Sequence, residues 1–258
     1  MAAESTARVM PDRLALLPSI HLAKGAHEAT GAEIPDACVM EIASWLAGEP
    51  WSDQTTCVST ILGGFARSLN DALPDDTRQQ LAPLAPRLIG TAGDGLDETR
   101  GYMALDWLIR TYAPAWLDLA NLSEEAAALR SLRRIVDLAA AKAAGSVVRV
   151  GQAKAAADWA ADWDAARAAD WDAARDAARG AARDAAGYAA WAAAGYAARA
   201  AAGDAAGNAA AKAAGYAARA AGNAAGDTLK PTITQLQQSA IDLFDRMIDG
   251  RWDNGAGR

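Results

Sequence analysis

Five side chains in the first quarter of this 258-residue sequence are of types that do chemistry: His27, Cys38, Glu41, Asp53 and Cys57. Imidazole, thiolate and carboxylate are the usual zinc ligands, and Cys38 and Glu41 stand about one helical turn apart. His27, Cys38 and Cys57 would be the metal-binding set of a regulator or a small metal-dependent enzyme. The spacing argues against that chemistry. The sequence contains no CxxC and no HExxH, and the intervals fit no metal motif. Two buried structural cysteines and a loop histidine are the plainer reading, with no metal and no cofactor expected.

Acid–base catalysis would need paired carboxylates, and Glu49 with Asp53, or Asp71 with Asp75 and Asp76, offer pairs. Each lies beside turn residues, where a cap or turn former is the simpler role. No GxSxG, phosphate-binding loop or GxGxxG occurs, so no catalytic residue is assigned. Trp51, in the EPWSD turn, is the best single candidate for a recognition residue.

The elements that must hold these residues read as helices. Asp36 is expected to cap a helix carrying Cys38, Ile42, Trp45 and Leu46, which ends at Gly48 before Pro50. Ser52 or Asp53 is expected to cap a second, with Val58, Ile61, Leu62, Phe65 and Leu69 on one face. Gly63-Gly64 in its middle suggests close approach of a neighbour. Shorter helices follow from Asp75 or Asp76 and from Asp97, the latter ending at Pro114, and another from Ser123. The valines of Gly145–Gly151 read as a connector. Thr232 or Thr234 is expected to cap a final helix whose Ile233, Leu236, Ala240, Leu243 and Met247 recur in threes and fours. That stripe requires a partner: the first domain, the repeat or a second chain. Leu236, Leu243 and Met247 are therefore the expected interaction surface, together with Trp51.

Cys38–Asp53 (CVMEIASWLAGEPWSD), Ser68–Asp76 (SLNDALPDD) and Asp106–Ala120 (DWLIRTYAPAWLDLA) resemble a family of uncharacterised proteins from actinobacteria and their phages. Members join such a helical region to an alanine-rich tract, and the resemblance covers about Ala26–Leu122 and the final helix. It implies an all-α protein, possession of a tract, and no activity. Members often carry His after the SD pair where this chain has Gln54, which further weakens a metal role.

The tract is Ala153–Asp227. From Asp164 it runs in fours, with alanine at nearly every inner position and Asp, Arg, Lys, Asn, Gly, Tyr or Trp outside. Alanine makes helix the expectation, as one arm on the order of 110 Å long or as a folded hairpin. A period of four drifts about 40° per repeat, so the repeat alone makes no seam. The aromatics Trp159, Trp163, Trp171, Tyr188, Trp191, Tyr196 and Tyr216 nevertheless share half of the helical wheel. The lack of threonine there speaks against ice binding.

The whole reads as an irregular helical domain over 36–145 behind a partly disordered lead-in of 1–35. The arm over 153–227, a helix over 232–249 and a disordered tail from 253 follow. A net charge of −7 disfavours nonspecific nucleic-acid binding. The tract does not mimic DNA, having nine Asp against eight Lys plus Arg. Two cysteines, no apolar leader and no long uncharged apolar run lead to the expectation of a reduced cytoplasmic setting and no membrane span. The expected function is non-enzymatic: a helical interaction or scaffold protein with a protein partner or a second copy.

Overall fold

Capping chemistry decides where the helices begin. In the computed structural model, which describes residues 8–28, 36–166 and 226–252, helix α2 runs Val39–Leu46 after the short α1, Pro11–Leu14. The N-cap of α2 is Cys38 rather than Asp36. Cys38 closes a capping box: its sulfur accepts the Glu41 N–H (3.4 Å) and the Glu41 carboxylate accepts the Cys38 N–H (2.7 Å). Asp36 has Val39 three residues on and could form no such box. Gly48 ends the element with φ +74°, the left-handed conformation glycine adopts without strain.

Helix α3 (Thr60–Ala72) is likewise capped later than expected, by Ser59, whose hydroxyl accepts the Leu62 N–H at 3.3 Å. Ser52 instead receives the Gln54 N–H in a turn (3.0 Å). Helix α4 (Asp75–Arg78), a 3-10 segment at Gln79–Leu84 and α5 (Ala85–Leu88) lead to α6 (Asp97–Trp107). The chain does not stop at Pro114. One π turn, Leu108–Tyr112, joins α6 to α7 (Ala113–Leu119), and Pro114 falls in the first turn of α7, where a missing N–H costs little.

After α8 (Ser123–Arg130), helix α9 (Leu138–Ala166) absorbs Val147–Val150, so the expected connector is helix. The reason is burial. Ala141, Ala144, Val148 and Ala155 form a stripe of helical period within the core, outweighing a β-branched penalty of a few tenths of a kcal/mol per valine. Hence α9 crosses the expected 145/153 boundary without a break.

The final helix, α10, spans Gly226–Ile248 and begins upstream of both threonines, with Pro231 inside it. Leu229, 1% exposed, anchors the additional turn. α10 packs on α3, α6 and the 3-10 segment. Leu236, Leu243 and Met247 are 5%, 3% and 0% exposed, which corrects their expected place on an interaction surface: the partner of the stripe is the chain's own first domain. Phe244 stacks on Phe65, with ring centroids 5.7 Å apart and planes at 17°. Each large side chain so buried contributes about 1.5–3 kcal/mol.

Among the described residues the protein is all-α, and the sole β pairing is an isolated bridge between Leu22 and Ala37. The lead-in is tied down where it is described: the Ala23 N–H bonds the Ala37 carbonyl (2.8 Å) and Leu22 is fully buried. No helix among the described residues is long and apolar enough to cross a membrane. Of the Ala-rich tract, Ala153–Ala166 continue α9 and residues 226–227 open α10. The remainder, and the expected tail from 253, lie outside the described residues.

Candidate functional site

The expected chemistry-bearing residues fall into two separate polar networks. The first centres on Glu41, the third residue of α2, whose side chain is 1% exposed. Its Oε1 accepts the backbone N–H of His27 (2.5 Å). Its Oε2 lies 2.9 Å from His27 Nδ1 and accepts the Cys38 N–H. Trp51 adds a third hold on the same loop, its indole N–H donating to the His27 carbonyl at 2.8 Å. Asn70 continues the network, its amide nitrogen donating to the Ala23 carbonyl (2.8 Å). The arrangement fastens residues 22–28 onto α2 and α3. A buried carboxylate needs such donors to offset desolvation.

A His–Glu pair resembles the base half of a nucleophilic site, yet the neighbouring thiol is no nucleophile. Burial, with the adjacent Glu41 charge, pushes Cys38 up to about 12. Protonated at neutral pH, it neither attacks nor ligates a metal readily.

Cys57 belongs to the second network. Glu49 accepts hydrogen bonds from the Thr55 hydroxyl (2.5 Å), the Thr56 N–H (2.9 Å) and the Thr56 hydroxyl (2.9 Å). Cys57 Sγ lies 3.1 Å from the Thr55 hydroxyl. Burial raises this thiol as well, against the opposing Thr55 bond. Burial alone would lift the Glu49 carboxyl too, but the threonine bonds outweigh it and hold Glu49 below its ordinary value.

His27, Cys38 and Cys57 are therefore not brought together as a ligand set. His27 and Cys38 meet only through Glu41, and Cys57 faces Thr55 and Glu49. No group of three or more His, Cys, Asp or Glu side chains among the described residues could hold a metal ion. Asp71 and Asp75 lie in helices and hold structure: Asp71, in the last turn of α3, accepts the Gly25 N–H (2.8 Å), and Asp75, the first residue of α4, pairs with Arg78 (2.8 Å). Trp51, half-buried, directs its one polar atom inward.

Three features escape a reading of the sequence. Arg100 is fully buried and holds Asp94 by two bonds (2.8 and 2.6 Å) as well as the carbonyls of Met247 and Ile248 (2.9 Å each). Arg78, 6% exposed, donates to the carbonyls of Asn70 and Leu73 at 2.8 Å. Their signal is a basic residue on the apolar face of a helix, three positions from an aspartate. The third is a cavity of about 520 Å³ between the 54–60 loop, the start of α3 and the loop before α6. No family model, curated protein or solved structure matches the chain.

Proposed function

We propose that this chain is a non-enzymatic helical interaction protein of the cytoplasm, in which a helical body carries the Ala-rich tract toward a protein partner or a second copy. The observation that carries the reading is the closure of α10. With Leu236, Leu243, Phe244 and Met247 buried in the body, the stripe of α10 is already partnered, and the reading assigns the partner surface to the tract on its sequence, in which Trp and Tyr recur among the alanines. The engagement of His27, Cys38, Glu41 and Cys57 in structural hydrogen bonds adds support, since the residues best able to do chemistry are holding loops. Two buried, unpaired thiols accord with a reducing compartment. The resemblance to helical proteins of actinobacteria and their phages accords with an accessory role and attaches no activity.

Light scattering on the size-exclusion-purified full chain tests the reading, together with affinity capture from the native host. Self-association or a stoichiometric protein partner is expected. Either should be lost when Trp171, Tyr188, Trp191, Tyr196 and Tyr216 are replaced by alanine in the full-length chain. A monodisperse monomer that captures nothing would overturn it.

A further inference from the structure

We infer that the cavity at the start of α3 is a binding site for a small molecule that carries a carboxylate or phosphate and a hydroxyl or amine donor. Its volume, about 520 Å³, falls within the usual range for small-ligand sites. Ser59, Thr60, Gly63, Arg67 and Asp97 line it, with Met40 also in its wall.

The lining is held in place from outside. The Ser59 N–H donates to the Thr91 hydroxyl (2.9 Å), and the Ser59 hydroxyl donates to Asp97 while accepting the Leu62 N–H (3.3 Å). Asp97 is held in turn by Arg100 (3.2 Å) and keeps 45% of its side chain exposed. That carboxylate supplies an acceptor for a ligand O–H or N–H.

Arg67 supplies the opposite charge. It is half-buried and donates one N–H to the Asp53 carbonyl (2.8 Å), and no carboxylate among the described residues pairs with it. The more deeply buried Arg78 and Arg100 each have an aspartate. A partly desolvated guanidinium without a counter-ion is unfavourable, and its planar fork suits a carboxylate or phosphate with two acceptor oxygens.

Gly63 is the independent observation. It stands inside α3, where only proline is a poorer residue than glycine, and its backbone is helical, so no positive φ requires it. Nor does packing. A Cβ there would meet only Arg67 Nη1 at 3.4 Å and Met40 Cε at 3.5 Å, which are ordinary contacts. The close neighbour that the sequence suggests at this glycine is Met40 of α2, which approaches it without leaving a clash that only glycine could relieve. The space a methyl group would fill lies beside the guanidinium, one helical turn away in the chain.

Thermal unfolding of the full chain, in inorganic phosphate, in acetate and in sodium chloride at matched ionic strength, tests the site. A saturable rise in midpoint is expected with phosphate or acetate over chloride, and the anion that gives it identifies the ligand's acidic group. Gly63→Ala should melt above the native chain in chloride and lose that rise. Arg67→Gln should lose it without the added methyl. Equal midpoints in all three salts would overturn the inference. So would a rise that both variants keep, because the anion would then sit elsewhere.

Discussion

Arg100 Nε donates to the Met247 carbonyl at 2.9 Å across 147 positions of sequence, tying the first turn of α6 to the last turn of α10. With its Nη2 on the Ile248 carbonyl, the guanidinium reaches two terminal carbonyls of α10, of which that of Met247 also accepts the Gly250 N–H (3.2 Å). Arg100→Met removes these bonds and leaves Asp94 without its cation. A loss of about 3 kcal/mol is expected in urea unfolding. Amide exchange should accelerate first over 240–248. A loss under about 1 kcal/mol would mean that the clamp does not hold the helix.

Glu41→Gln keeps the volume of the side chain but presents an NH₂ group to surrounding N–H donors. About 2 kcal/mol of stability should be lost. The indole N–H resonance of Trp51 should move as the His27 loop loosens, since Trp51 bonds the His27 carbonyl. An unshifted resonance with full stability would show that the carboxylate does not hold the loop.

The cysteines give a chemical test. In the native chain at pH 8 neither Cys38 nor Cys57 should react with a thiol reagent faster than the chain unfolds globally, because both are buried and protonated. Both should react at once in denaturant. The pH dependence follows from the raised Cys38 value. The unfolded thiol ionises near 9.0 and the folded one near 12, so the contribution is full below pH 9 and declines as pH rises toward 12. Cys38→Ser, which does not ionise there, should flatten the decline between pH 9 and 11. An identical slope would assign the effect to another group.

Glu49 acts at the other end of the scale. Its folded value lies below the ordinary 4.5, so the unfolded state takes up a proton first as the pH drops. Its contribution is therefore complete above about pH 4.5 and is lost as pH falls through the folded value. Glu49→Gln should be less stable than the native chain at pH 7, by about 1 kcal/mol for a largely surface network. The difference should narrow in acid, as measured by denaturant unfolding at several pH values. A difference that grows on acidification would contradict the threonine bonds.

Periodicity exposed most of the helical architecture. The stripe of α10 is visible in Ile233, Leu236, Ala240, Leu243 and Met247, because a 3.6-residue period is a local property. What covers that stripe is not local, and Phe65 is far from Phe244 in sequence. Cap positions failed where two candidates competed. Ser59 and Cys38 prevail over Ser52, Asp53 and Asp36 through contacts to Asp97 and Glu41 that side-chain type alone does not reveal. Val147–Val150 failed because burial of Val148 overrode its intrinsic preference. In the cluster of candidate ligands, His27, Cys38 and Glu41 do meet, but as a loop fastening, and Cys57 lies apart. The cavity was hidden because Met40, Arg67 and Asp97 come from three helices.

The position of α10 at the far side of the repeat also sets the order of birth of the structure. As the ribosome releases the chain, the grooves of α3 and α6 emerge long before Phe244 and Met247 can fill them, with 59 tract residues (167–225) among those made in between. At about 5–20 residues per second that interval lasts several seconds. A nascent chain paused within the tract would display Phe65 and its neighbours bare, making this stage of synthesis the one most open to chaperone capture or to misassembly with a neighbouring polypeptide.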